Sequence, residues 1–172
     1  MVPVMKLLNT GILYVSVMFL GLAAGCSSDP ADVAGSYTVA VTNGEDGCEF
    51  DNFEPGQVAQ GIGVTVTQSG EDVAADFGVT PAGILLDVVL GSHVFRGSVD
   101  GDDLNLKIVG TPSGGDGNCT YTINATVDAT LDGDFLSGTI DYAAQTNGGT
   151  DCGAKNGCHT KQSFNGTRPP KQ

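Results

Sequence analysis

The sequence predicts an all-β protein, an antiparallel up-and-down barrel of about eight strands, with a two-sheet β-sandwich as the alternative. Three observations predict it. Apolar and polar residues alternate in segment after segment, the period of a half-buried strand, while no helical period persists over about 11 residues beyond the first 25. Glycine-containing hairpin turns separate several of these segments. Glycine supplies 26 of the 172 residues and tryptophan none, a composition suited to short strands and many turns.

The first element is not part of the barrel. Lys6 precedes an apolar run from Leu7 to Leu22, interrupted by Asn9, Thr10 and Ser16, and the small residues Ala23, Ala24 and Gly25 lead to Cys26. Charge, apolar core and small-residue exit form a secretory signal, and the core is shorter than the ~20 residues that span a bilayer. Met5 offers a second, more compact start. "LAAGC" at residues 22–26 resembles the lipobox of bacterial lipoproteins, with Leu22 one position earlier than the family's usual leucine. The resemblance implies a signal peptide over residues 1–25 and a diacylglycerol thioether on Cys26, the new N-terminus. Ser27 in the next position then implies outer-membrane sorting. An ordinary signal peptide with an incidental cysteine is the alternative. A tether over 26–34, a single domain over 35–168 and a tail over 169–172 complete the expected organisation.

Eight strands follow. "SYTVAVT" puts Tyr37, Val39 and Val41 on one face, and "GIGVTVTQ" does so with Ile62, Val64 and Val66. "EDVAADFG" aligns Val73, Ala75 and Phe77; "SHVFRGSV" aligns His93, Phe95, Gly97 and Val99; "DLNLKIVG" aligns Leu104, Leu106 and Ile108. "CTYTINATVDATL" is the clearest, with Tyr121, Ile123, Ala125, Val127, Ala129 and Leu131 on one face and mainly Thr, Asn and Asp on the other. "FLSGTIDYA" aligns Leu136, Gly138, Ile140 and Tyr142, and "CHTKQSFNGT" is anchored by Phe164. "GILLDVVLG" is a further apolar segment, either a short strand or a helical turn.

The connections alternate. Ser69-Gly70, Asp100 to Asp102 and Asp132 to Asp134 are tight turns, whereas 43–60, 78–91, 110–117 and 143–157 are long. In a meander this puts every long loop at one end and every tight turn at the other. A weak internal repeat, "FRGSVDGDDLNLKIVG" against "VDATLDGDFLSGTIDY", agrees with consecutive hairpins. Closure into a barrel removes exposed strand edges. The apolar face must then point inward, the reverse of an outer-membrane barrel. Small inward residues (Ala75, Gly97, Ala125, Ala129, Gly138) leave room for an interior cavity.

With Cys26 set aside, Cys48, Cys119, Cys152 and Cys158 remain, an even number in an exported chain, and read as two disulfides near the long loops. Three connectivities are open. The short loop that it closes favours Cys152 with Cys158, leaving Cys48 with Cys119.

"GSYTV" near the start and Arg168 near the end resemble the calycin pattern of lipocalins and avidins, in which Gly-x-Trp on the first strand packs under an arginine from the last. Tyr37 stands where that family has tryptophan. The resemblance implies a barrel whose open end takes a small apolar ligand. The candidate contacts are Tyr37, His93, Phe95, Tyr121 and Tyr142.

Removal of residues 1–25 leaves six basic side chains against 20 acidic, a net charge of −14. Such a surface repels nucleic acid. No phosphate-binding loop, dinucleotide fingerprint, nucleophile elbow or EF-hand spacing is present, and no cofactor is implied. The acidic stretch "NGEDGCEFDNFE" contains Glu49, Asp51 and Glu54, a weak Ca²⁺ candidate set beside the simpler reading of a solvated loop. His93, on an apolar strand face, reads most simply as a core or rim histidine. The expected function is a lipid-anchored, extracytoplasmic, non-enzymatic binding module of the bacterial envelope. Its partners would be the membrane, through lipid, and a small apolar ligand or an envelope protein. An envelope structural lipoprotein without a ligand site is the alternative.

Overall fold

The computed structural model describes residues 29–170; Cys26 and the expected signal segment lie outside the described residues, as do Lys171 and Gln172 of the expected tail. Nine strands and two helices follow in order: β1 (Gly35–Asp46), β2 (Val58–Ser69), β3 (Asp72–Asp76), α1 (Pro81–Leu90), β4 (Val94–Asp100), β5 (Asp103–Ile108), β6 (Gly114–Asp116), β7 (Cys119–Asp132), β8 (Phe135–Thr146), a 3₁₀ helix (Thr150–Lys155) and β9 (His159–Thr167). Eight of the strands close a barrel in the order β1-β2-β3-β4-β5-β7-β8-β9, all antiparallel, with β9 returning to pair with β1. The ring is continuous, so the sandwich alternative is excluded. β6 is a short addition. It pairs with the start of β7 on the edge that β5 occupies further along, because Tyr121 faces Gly114 on one side and Thr146 on the other.

The predicted inward faces are the core. Val39, Val64, Val66, Val73, Phe95, Val99, Leu104, Leu106, Ile123, Val127, Leu136 and Ile140 are all buried. The outer face carries hydrogen-bonded polar pairs, with Asn105 Nδ2 donating to Asp128 Oδ1 at 2.8 Å and Thr130 Oγ1 to Asp103 Oδ1 at 2.8 Å. Three two-residue hairpins form the tight end: Gly70-Glu71, Gly101-Asp102 and Gly133-Asp134. Each begins with a positive-φ glycine, the conformation that two-residue turns between twisted strands require.

The tight end is sealed by the chain segment before β1. Val33 is fully buried; its N–H donates to Gln68 Oε1, and its carbonyl accepts from the Tyr37 hydroxyl at 2.9 Å. Arg168 lies across this seal, its Cζ 5.6 Å from the centre of the Tyr37 ring. Its Nη1 donates to the carbonyls of Asp32 and Ala34, and its Nε pairs with Asp134 at 3.0 Å. A planar guanidinium satisfies several fixed acceptors at once while stacking on an aromatic face. This is the contact between chain ends that the calycin resemblance implies.

The small inward residues do not hollow the barrel. A Cβ on Gly97 would run into the carbonyl of Asn105, and one on Gly138 into the carbonyl of Asp128 and Ala129. These glycines let neighbouring strands approach closely in a tightly curled wall. The interior space is only about 40 Å³, in keeping with an eight-stranded barrel just wide enough to be filled by side chains.

The favoured cysteine pairing is incorrect. The disulfides join Cys48 to Cys158 and Cys119 to Cys152. Strand pairing decides this. Cys158 immediately precedes β9, which runs beside β1, and Cys48 lies just past the end of β1. The 3₁₀ helix after β8 carries Cys152 to the start of β7, where Cys119 stands, and Asn118 N–H donates to Asp151 nearby. Sequence proximity favoured the short loop, but the two cysteines in it face different strands.

Two outcomes test this architecture. Gly138→Ala should lower stability by about 1–3 kcal/mol through overpacking, whereas Gly63→Ala, with open space at the same position of the side chain, should change it by less than about 0.5 kcal/mol in urea unfolding; equal effects would contradict the close approach. Peptide mapping without reduction should recover Cys48–Cys158 and Cys119–Cys152. Removing either pair should cost up to about 4–5 kcal/mol by loop-closure entropy, and a Cys152–Cys158 peptide would overturn the assignment.

Candidate functional site: the cleft at the barrel mouth

The strands are of unequal height at the long-loop end. β3 pairs with β2 only at Thr65 to Ser69, so the first half of β2, from Val58 to Gly63, is paired on the β1 side alone. A bulge opposite Ala40 sits in this half, and Gly61 within it has φ +72°. The barrel wall is therefore open above β3.

α1 stands over that opening. Its start follows a cap code: the Thr80 hydroxyl accepts from the Gly83 N–H, Pro81 occupies the first turn, and Gly91 ends the helix in the left-handed region, where a residue without Cβ is favoured. The apolar run has no amphipathic period to separate helix from strand, so the caps carry the only local signal. Leu90 is fully buried, and Leu86 and Val89 pack against the core. Ile84, Leu85 and Val88 are exposed. His93 anchors the helix, with Nδ1 2.9 Å from the Asp87 carboxylate and Nε2 3.5 Å from Asp76 at the end of β3.

Between β2 and α1 lies a cleft of about 580 Å³. One wall is Ala59 to Gly63 of β2, the other Thr80, Pro81, Ala82, Leu85 and Leu86, and the floor is formed by Phe77, Phe95, Ile140, Tyr142 and Gln162. Val41, Phe77, Phe95 and Ile140 also line the small interior space, making it a throat beneath the cleft. Phe77 and Phe95 pack with ring centres 5.9 Å apart.

The polar groups on the floor form a directed relay. Tyr142 Oη donates to Gln162 Oε1 at 3.0 Å, Gln162 Nε2 to Asn43 Oδ1 at 2.7 Å, and Asn43 Nδ2 to the Glu54 carbonyl at 3.1 Å. Phe50 leans edge-on against the Tyr142 ring at 6.4 Å. Phe50 is held in turn by its N–H to the Asp46 carboxylate, which also accepts from the buried Thr160 hydroxyl. Burial pushes the Tyr142 phenol well above the usual tyrosine range. Tyr37 is raised too, with burial outweighing the opposing effect of Arg168.

The structure thus brings together two of the five residues singled out from sequence. Phe95 and Tyr142 face the cleft. Tyr37 belongs to the seal at the opposite end. His93 lies just before β4 and turns to the carboxylates of Asp76 and Asp87 rather than to the interior. Tyr121 covers Gly114 and lies under Lys155, whose Nζ is 5.3 Å from the ring centre. Gln162, Asn43 and the α1 wall were missed, because a polar strand residue gives no sign of which sheet neighbour it will meet. Glu49, Asp51 and Glu54 are all exposed, and among the described residues no three His, Cys, Asp or Glu side chains converge to hold a metal. The Ca²⁺ set is not assembled: the loop is shaped by the Cys48 disulfide and by Asp46, which turns to its own backbone. Among the described residues no helix is long and apolar enough to cross a membrane.

The raised phenols set an alkaline limit. Unfolded tyrosines ionise near pH ~10, whereas Tyr37 and Tyr142 resist ionisation while folded, so their contribution to stability is present below pH ~10 and is lost as pH rises beyond it. Tyr142→Phe should flatten the fall in the urea midpoint above pH ~10, and absorbance titration should show fewer late-ionising phenols; an unchanged slope would contradict the burial effect. Comparison of the chain with protein-family models, curated proteins and solved structures gives no match.

Proposed function

We propose that the chain is a lipid-anchored, non-enzymatic binding module of the bacterial envelope, a calycin-like barrel that takes a small apolar ligand at its long-loop end. The observation that carries this reading is the cleft: concave, mostly apolar, with a few convergent polar groups on its floor, the usual character of a small-molecule site. The lipobox-like stretch at residues 22–26 and the two disulfides fit an oxidising, extracytoplasmic setting. Cys26 as the anchor would attach the chain close to the sealed end, since Asp29 to Ala34 run there, and the cleft would face away from the membrane. Serine after Cys26 fits the outer membrane.

His93 and His159 each turn Nδ1 to a carboxylate, Asp87 and Asp141, contacts that tie α1 to the start of β4 and β9 to β8. The second reading, an envelope structural lipoprotein that meets a partner protein, is favoured by one observation, the exposed Ile84, Leu85 and Val88 of α1.

Native mass spectrometry of protein gently extracted from membranes tests both parts. The mature chain should begin at Cys26 with the added mass of diacylglycerol and an acyl group, and a fraction should carry a bound small molecule that is lost when Leu85→Glu puts a charge in the exposed cleft wall. A mass without lipid sinks the anchor, and a ligand-free spectrum under all mild conditions favours the structural reading.

A further inference from the structure

Neither the cleft nor the throat is lined by a charged side chain, although the chain carries 20 acidic and seven basic residues. An anion entering the cleft would meet no counter-charge and would be repelled by the surrounding field. A cation would be drawn toward the protein but would have to shed water with no carboxylate to replace it. An uncharged ligand meets neither penalty.

The relay specifies the polarity of the ligand's hydrogen bond. The Glu54 carbonyl can only accept, which fixes Asn43 with Nδ2 toward it. Asn43 Oδ1 must then accept from Gln162 Nε2, and Gln162 Oε1 must accept from Tyr142. The Tyr142 proton is committed, and its oxygen is left with lone pairs. At this end of the relay, the floor asks for a donor.

The throat sets the shape of the apolar end. At about 40 Å³ it is far smaller than the cleft of about 580 Å³ above it, and its lining is wholly apolar. Of a ligand seated in the cleft, only a slender apolar end enters it.

We infer that the cleft takes a neutral, single-chain amphiphile whose uncharged hydroxyl or amide N–H donates to Tyr142 Oη and whose chain end points between Phe77 and Phe95. This rests on the reading of the cleft as a ligand site. The test uses the mature chain carrying Cys26→Ser, so that no lipid competes, titrated with 1-octanol, octyl methyl ether, octanoate and octyltrimethylammonium and followed by calorimetry and amide chemical shifts. Octanol should bind at least about ten-fold more tightly than either ion. Tyr142→Phe, with its thermal midpoint checked, should weaken octanol about five-fold and leave the ether, which cannot donate, unchanged. Octanoate or the ammonium binding as tightly as octanol would overturn the neutral-ligand inference, and equal weakening of octanol and ether would overturn the role of Tyr142. If none of the four probes shifts the amides of Ala59 to Gly63, the cleft is not a ligand site, and the proposed function falls with the inference.

Discussion

The antiparallel pairing of β1 with β9 is the contact on which the rest of the molecule depends. It turns a meander into a ring and leaves the barrel without an open seam between its first and last strands. Residues 127 and 129 positions apart in the chain, Val39 with Gly166 and Thr38 with Thr167, become neighbours. Such non-local pairing is entropically costly to form, and two devices secure it from opposite ends. At the tight end Arg168, just beyond β9, bonds to carbonyls just before β1 and stacks on Tyr37. At the other end the Cys48–Cys158 disulfide joins the same two strands.

The two ends of the barrel are built on different physical terms. The tight end is short, glycine-turned and sealed by a buried valine. The long-loop end has little core of its own and relies on two disulfides, the Asp46 and Thr160 contacts, and a capped helix held by His93. Loops supported in this way can carry binding surfaces while the scaffold stays rigid. The unequal strand lengths are what create the cleft. Where β3 stops short, β2 keeps a free edge, and α1 covers the gap without packing into it.

Electrostatics divides the molecule in the same sense. Acidic residues crowd the outer face and turns, where they remain hydrated and hold the surface at strongly negative charge. The lining of the cleft is uncharged and the polar groups of its floor are arranged in one direction from Tyr142 to the Glu54 carbonyl. Burial keeps the Tyr142 phenol protonated, and that same burial makes its hydrogen-bonding role definite.

By itself the sequence determined the all-β meander, the inward faces, the three tight turns and the end at which the long loops gather, while closure into a barrel rather than a sandwich was decided by the pairing of β1 with β9. Those features follow from local rules: period-two alternation, positive-φ glycine in two-residue turns, and the parity of connections in a meander. It also marked Phe95 and Tyr142, because inward aromatic positions are legible from the alternation. The disulfide partners, the helical state of "GILLDVVLG", the nearly filled interior and the Tyr142–Gln162–Asn43 relay were decided only by the tertiary structure. Each depends on which strands become neighbours and how far each extends. A glycine facing inward looks like empty space in sequence; only the packed wall shows that the carbonyl of Asn105 or Asp128 already fills it.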